Sequence, residues 1–114
     1  MTLRLTLLLL AHLLADYPLQ GDFLANMKGK RILLMISHCG IWTGCIVVAA
    51  AYLGIPPTTG LLAFLFVGHF LADEAKAQRW WFYENLDPLG AALWVDQSFH
   101  VLQILCVLFF WSAK

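Results

Sequence analysis

Residues Ile32 to Ile55 run for 24 positions without an Asp, Glu, Lys or Arg. About 20 predominantly apolar residues cross the hydrocarbon core of a bilayer as one helix, so this run predicts a membrane span. Three further stretches have the same character. Leu3 to Leu19 is apolar apart from Arg4, Thr6, His12 and Asp16; Thr58 to Ala72 carries no charge; Leu89 to Trp111 carries only Asp96. The expected fold class is therefore all-α. It takes the form of an integral membrane four-helix bundle in one domain over residues 1–114, with spans about 3–20, 32–55, 58–76 and 89–111. Composition agrees: 61% of residues are hydrophobic and 12% charged, far from the balance of a soluble domain. A formal net charge of zero gives no basic field, so no nucleic-acid partner is expected.

The first run has one basic residue and a Leu-rich core, as a secretory leader would. A leader core does not normally hold His12 and Asp16, however, and the run is read as a retained helix. Cys39, Cys45 and Cys106 are odd in number and fall inside predicted spans, which argues for small apolar fillers rather than a disulfide framework. Only Cys39, beside His38, is kept as an outside metal-ligand candidate.

The three connections differ in charge. Residues 21–31 carry Lys28, Lys30 and Arg31, residues 74–88 carry Lys76 and Arg79, and the middle connection "GIPPTTG" carries none. By the positive-inside rule, loops 21–31 and 74–88 face the cytoplasm and both termini face outward, with Arg4 and Lys114 opposing this weakly. Trp80, Trp81, Phe82 and Tyr83 read as an aromatic belt at headgroup level, where lipid contact is expected.

The ionisable residues inside the spans are His12, Asp16, His38, His69, Asp73, Asp96 and His100. They include all four histidines of the chain. Three His/Asp pairs are spaced four apart, so each pair lies on one face of its helix. A shift of 57 places Ala11-His12-Leu13-Leu14-Ala15-Asp16 on Gly68-His69-Phe70-Leu71-Ala72-Asp73, which points to two parallel repeats of two helices. With helices alternating in direction, all seven residues fall roughly 5–14 Å from the same membrane face at 1.5 Å rise per residue.

Ionisable groups in a bilayer are costly and mark function. A divalent metal offsets the cost, because imidazole and carboxylate are its ready ligands; zinc is the first expectation, with manganese or iron as alternatives. His12, Asp16, His69 and Asp73 are the expected primary ligands. His38, Asp96 and His100 then complete the shell, with Asp96 and His100 as the expected catalytic pair that moves protons. Gln20 and Gln103 lie one turn beyond the site residues. Ser37 and Ser98 lack a nucleophile context, and no metalloprotease, P-loop or dinucleotide motif occurs.

The stretch "HLLADYPLQGDFLANMK", followed by an apolar span opening with a histidine, resembles a family of small bacterial and phage membrane proteins, domain-of-unknown-function family number 3307. The residues that carry the resemblance are His12, Asp16, Tyr17, Leu19 and Gln20, then His38, His69, Asp73, Asp96 and His100. It covers nearly the whole chain and implies a multi-pass protein of the bacterial inner (cytoplasmic) membrane, without implying an activity. The H-x-x-x-D pattern is more loosely similar to proteins described as membrane-bound metal-dependent hydrolases.

Three functions remain in view. A metal-dependent hydrolase acting on a lipid or lipid-linked phosphate suits a shallow polar layer near the cytoplasmic leaflet. An ion or metal transporter needs a polar route through the far halves of the helices, where "IVVAAAYLGI" and "GLLAFLF" offer almost none; it survives mainly as a homo-oligomer lined by Gln103, Thr43 and Thr58. A structural or accessory membrane protein would use the same residues as a helix-packing network.

Overall fold

The computed structural model describes residues 1–112; Lys114, one of the two charges set against the orientation above, lies outside them. Five α-helices follow one another: α1 (Thr2–Asp16), α2 (Gly21–Met27), α3 (Ile32–Tyr52), α4 (Thr59–Ala77) and α5 (Ala91–Phe110), with a 3-10 turn at Trp81–Asn85 before α5. No strand occurs among the described residues.

Local chemistry sets the boundaries. α1 stops at Asp16 rather than at residue 20 because Pro18 has no amide hydrogen and restricts Tyr17 before it. The chain steps around the proline. Leu19 N–H bonds the Leu14 carbonyl at 2.9 Å and Gly21 takes a φ of +69°, where α2 begins at 80° to α1. The segment expected to be loop 21–31 thus holds a seven-residue helix.

The uncharged middle connection is as tight as expected. Gly54, at φ +83°, closes α3: its N–H reaches the Ala51 carbonyl at 3.0 Å and Ile55 N–H reaches Ala50 at 2.9 Å. Thr58 then caps α4 by accepting from Leu61 N–H at 3.2 Å. α4 ends the same way as α3, but with Arg79 in the left-handed region at φ +57°. The Arg79 guanidinium bonds the carbonyls of Glu84 and Leu86 at 2.9 and 3.1 Å, which ties the aromatic turn to the end of α4.

α1 packs on α3, α3 on α4, α4 on α5, and α5 back on α1, closing a ring of the four longer helices. Neighbours in the ring run in opposite directions. α1 and α4 therefore run parallel at opposite corners, as α3 and α5 do. Leu8, Trp42, Ile46, Leu61, Leu65, Ile104 and Val107 fill the middle, all fully buried.

Two helices, α3 and α5, are long and apolar enough to cross a membrane, and the bent pair α1–α2 passes the same test when taken together. The four spans expected from sequence are thus met in part. α1 alone, at 15 residues and ~1.5 Å per residue, is about 22 Å long, short of the ~30 Å core. α4 ends in a turn that carries Asp73, Glu74 and Lys76.

Candidate metal centre

Late α1, early α3, late α4 and early α5 meet at one end of the ring, and each brings ionisable side chains inward. His12, Asp16, His38, His69, Asp73, Asp96 and His100 are all buried, between 0 and 7% exposed. The structure brings all seven expected residues into one layer. Burial on this scale is costly wherever a polar group lacks a partner.

Within the layer Asp16 and Asp73 both approach the His38–His69 pair. His38 Nε2 and His69 Nε2 lie 2.9 Å apart. Asp16 Oδ1 is 3.4 Å from the first and 3.7 Å from the second; Asp73 Oδ2 is 3.0 and 3.5 Å from them. A metal with ligand bonds of about 2.0–2.1 Å in tetrahedral geometry holds its donors about 3.3 Å apart, within the spread of these five separations. Asp16 Oδ1 is buried without any hydrogen-bond partner, although it faces both imidazoles. Two overlapping triads have donor atoms within 4.8 Å of one another: Asp16 with His38 and His69, and Asp73 with His69 and His100. These buried groups could hold a metal ion.

The hydrogen bonds orient the rings. If neutral His100 donates from Nε2 to Asp73 Oδ1 at 3.0 Å, its Nδ1 must accept from His69 Nδ1–H at 3.1 Å. The lone pair of His69 then sits on Nε2 and points at the convergence of donors. Fixing a ligand imidazole through its other nitrogen is how metal sites select a tautomer. Trp42 adds a flat wall, stacking on His69 with ring centres 4.1 Å apart and planes 15° apart.

His12, also expected among the primary ligands, is hydrogen-bonded at both ring nitrogens. Trp42 Nε1–H donates to its Nδ1 at 2.9 Å, so its Nε2–H donates to Gln97 Oε1 at 2.8 Å. Both nitrogens are engaged, and His12 belongs to neither triad. Asp96 also stands outside them. Its Oδ2 accepts from Lys76 at 3.0 Å and from Gln97 at 3.3 Å, while Oδ1 lies 3.3 Å from His100 Nε2. Cys39 is buried nearby but joins neither triad.

The glutamines and serines around the layer are helix contacts. Gln103 donates to the Phe64 and Leu65 carbonyls, Gln20 to the Asp16 carbonyl, Ser37 to Leu33 and Ser98 to Trp94.

Four participants went unnoticed in the sequence: Lys28, Lys76, Trp42 and Gln97. Lys28 Nζ lies 2.7 Å from Asp73 Oδ2 and 3.3 Å from His38 Nε2. Helical spacing marks two of the four, since Trp42 is four residues after His38 and Lys76 three after Asp73. Nothing local marks Lys28, which the α1–α2 bend delivers. Tyr83, in the aromatic turn, is buried with its hydroxyl unpartnered. Burial, helped by the carboxylates of Asp96 and Asp73, pushes its phenol up to about 12, so the hydroxyl stays protonated at neutral pH.

Fold and site together define a small all-α protein that gathers buried histidines and aspartates into a potential cation site at one end of its helices. The family model described as "Protein of unknown function (DUF3307)" matches residues 4–114, and the chain belongs to that family. No curated protein and no solved structure matches it.

Proposed function

We propose that this chain is a metal-binding integral membrane protein, with its four longer helices crossing the bilayer and its donor layer near the cytoplasmic leaflet. The observation that carries the metal reading is the His38 Nε2–His69 Nε2 pair, 2.9 Å apart, approached by Asp16 Oδ1 at 3.4 and 3.7 Å and by Asp73 Oδ2 at 3.0 and 3.5 Å. Two imidazole nitrogens and two carboxylate oxygens suit zinc, with manganese or iron as alternatives. The membrane reading rests on the apolar α3 and α5 and on side chains such as Leu33, Val48, Trp94 and Phe109, each more than 70% exposed. In this reading residues 21–31 and 74–88 lie on the cytoplasmic side of a bacterial inner membrane, which their positive charges support.

Within this reading the protein is a hydrolase of a lipid or lipid-linked phosphate. A bound divalent ion supplies Lewis acidity and lowers the pKa of a coordinated water. Asp96 and His100 stand beside the four-donor set, 3.3 Å from each other, where a proton would be moved.

Elemental analysis of the detergent-purified protein tests the metal reading. One equivalent of a divalent metal, lost in a folded His38→Gln, His69→Gln variant, is the expected result. No metal in either protein after incubation with zinc or manganese would overturn it and leave the layer as a hydrogen-bonded packing network. Release of phosphate from a lipid phosphate by the metal-loaded protein, and not by a folded Asp96→Asn variant, tests the hydrolytic step.

A further inference from the structure

The donor set already faces a cation of the protein's own. Lys28 follows α2 directly, and its side chain is 13% exposed while Asp73 opposite is 1% exposed. The Lys28 ammonium sits 2.7 Å from Asp73 Oδ2 and 3.3 Å from His38 Nε2, two of the four converging donor atoms. An ammonium at those distances and a divalent ion bound to the same two atoms would crowd the same space and repel each other at close range.

Charge balance points the same way. In the layer the three carboxylates of Asp16, Asp73 and Asp96 face two ammonium groups, Lys28 and Lys76, which leaves one negative charge over when the imidazoles are neutral. Exchanging the Lys28 ammonium for a divalent ion removes that excess. Keeping both would leave a net positive charge in a buried layer, which is costly. Lys76 is placed differently. It binds Asp96 Oδ2, which belongs to neither ligand triad.

We propose that Lys28 is a displaceable internal cation: the site takes up a divalent metal by exchange, and the ammonium leaves Asp73 and His38 as the metal arrives. This inference rests on the metal reading above and adds a regulatory element to it. Because Lys28 is carried by the segment between α1 and α3, metal loading and the position of that segment are linked, and whatever holds Lys28 inward weakens metal binding.

The test is zinc affinity of the full-length protein in detergent at fixed pH, by competition with a chromophoric chelator, for the unmodified chain, Lys28→Gln and Lys76→Gln. Removing a competing cation from two of four ligands should tighten zinc binding by at least about tenfold in Lys28→Gln. Lys76→Gln, which removes an equal charge beside a carboxylate outside the triads, should change it by less than about threefold. In the unmodified chain, zinc should raise the labelling of Lys28 by an amine-reactive reagent, read by mass spectrometry. That measurement needs no variant and stands even if Lys28→Gln fails to fold.

Equal or weaker zinc binding in folded Lys28→Gln, or unchanged Lys28 labelling at zinc saturation, overturns the exchange while leaving the metal site intact. No zinc binding by either the unmodified chain or folded Lys28→Gln overturns both readings.

Discussion

Trp42 is the side chain on which the layer leans, and its replacement by phenylalanine separates orientation from mere bulk. The indole is fully buried, donates to His12 Nδ1 at 2.9 Å and covers His69. Trp42→Phe keeps an aromatic ring but leaves the His12 nitrogen a buried acceptor without a donor, at a cost of about 1–3 kcal/mol. The smaller ring leaves unfilled space costing about 1 kcal/mol more. The expected destabilisation is therefore about 2–4 kcal/mol. It is measured by reversible equilibrium unfolding in mixed detergent micelles, followed by circular dichroism. In a His12→Leu background the acceptor is gone, so Trp42→Phe should cost only the packing part, about 1–3 kcal/mol less. Additivity of the two substitutions within about 0.5 kcal/mol would refute the claim that this hydrogen bond holds the layer together.

Asp73→Asn removes the charge that Lys28 and His100 share, and should destabilise the fold by about 3–5 kcal/mol. Adding Lys28→Gln should restore part of that loss in the same unfolding assay. Gly68→Ala places a methyl against the Gln103 amide, displacing it from the Phe64 and Leu65 carbonyls; about 1–3 kcal/mol should be lost, visible as a lower midpoint. Gly54→Ala forces a side chain into φ +83° at the end of α3 and should cost about 1 kcal/mol. A Gly54 variant as stable as the unmodified chain would mean that this turn rearranges freely.

The sequence made the polar layer legible because helical spacing is a strict geometric statement. Residues four apart share a face, and alternating helix direction brings late α1, early α3, late α4 and early α5 to one level. Roles within the layer are a different matter, because they depend on which nitrogen of each imidazole finds a donor. His12 and His69 hold equivalent places in the 57-residue repeat, yet one is held at both nitrogens by Trp42 and Gln97 and the other turns Nε2 toward Asp16 and His38. The repeat is equal in sequence and unequal in chemistry because Trp42 donates to one histidine and stacks on the other.

Lys28 carries that argument one step further. In the sequence it belongs to a cluster of basic residues that reads as a topology signal, and long lysine side chains beside a membrane ordinarily reach outward to water. Here Pro18 ends α1 early, the chain turns by 80° into α2, and the ammonium is brought back over Asp73. A residue whose charge suggested only which way the protein faces thus enters the most buried part of the structure. The reason is tertiary. Asp73 carries a charge that neither His100 nor His38 neutralises while neutral, and Lys28 is the cation within reach.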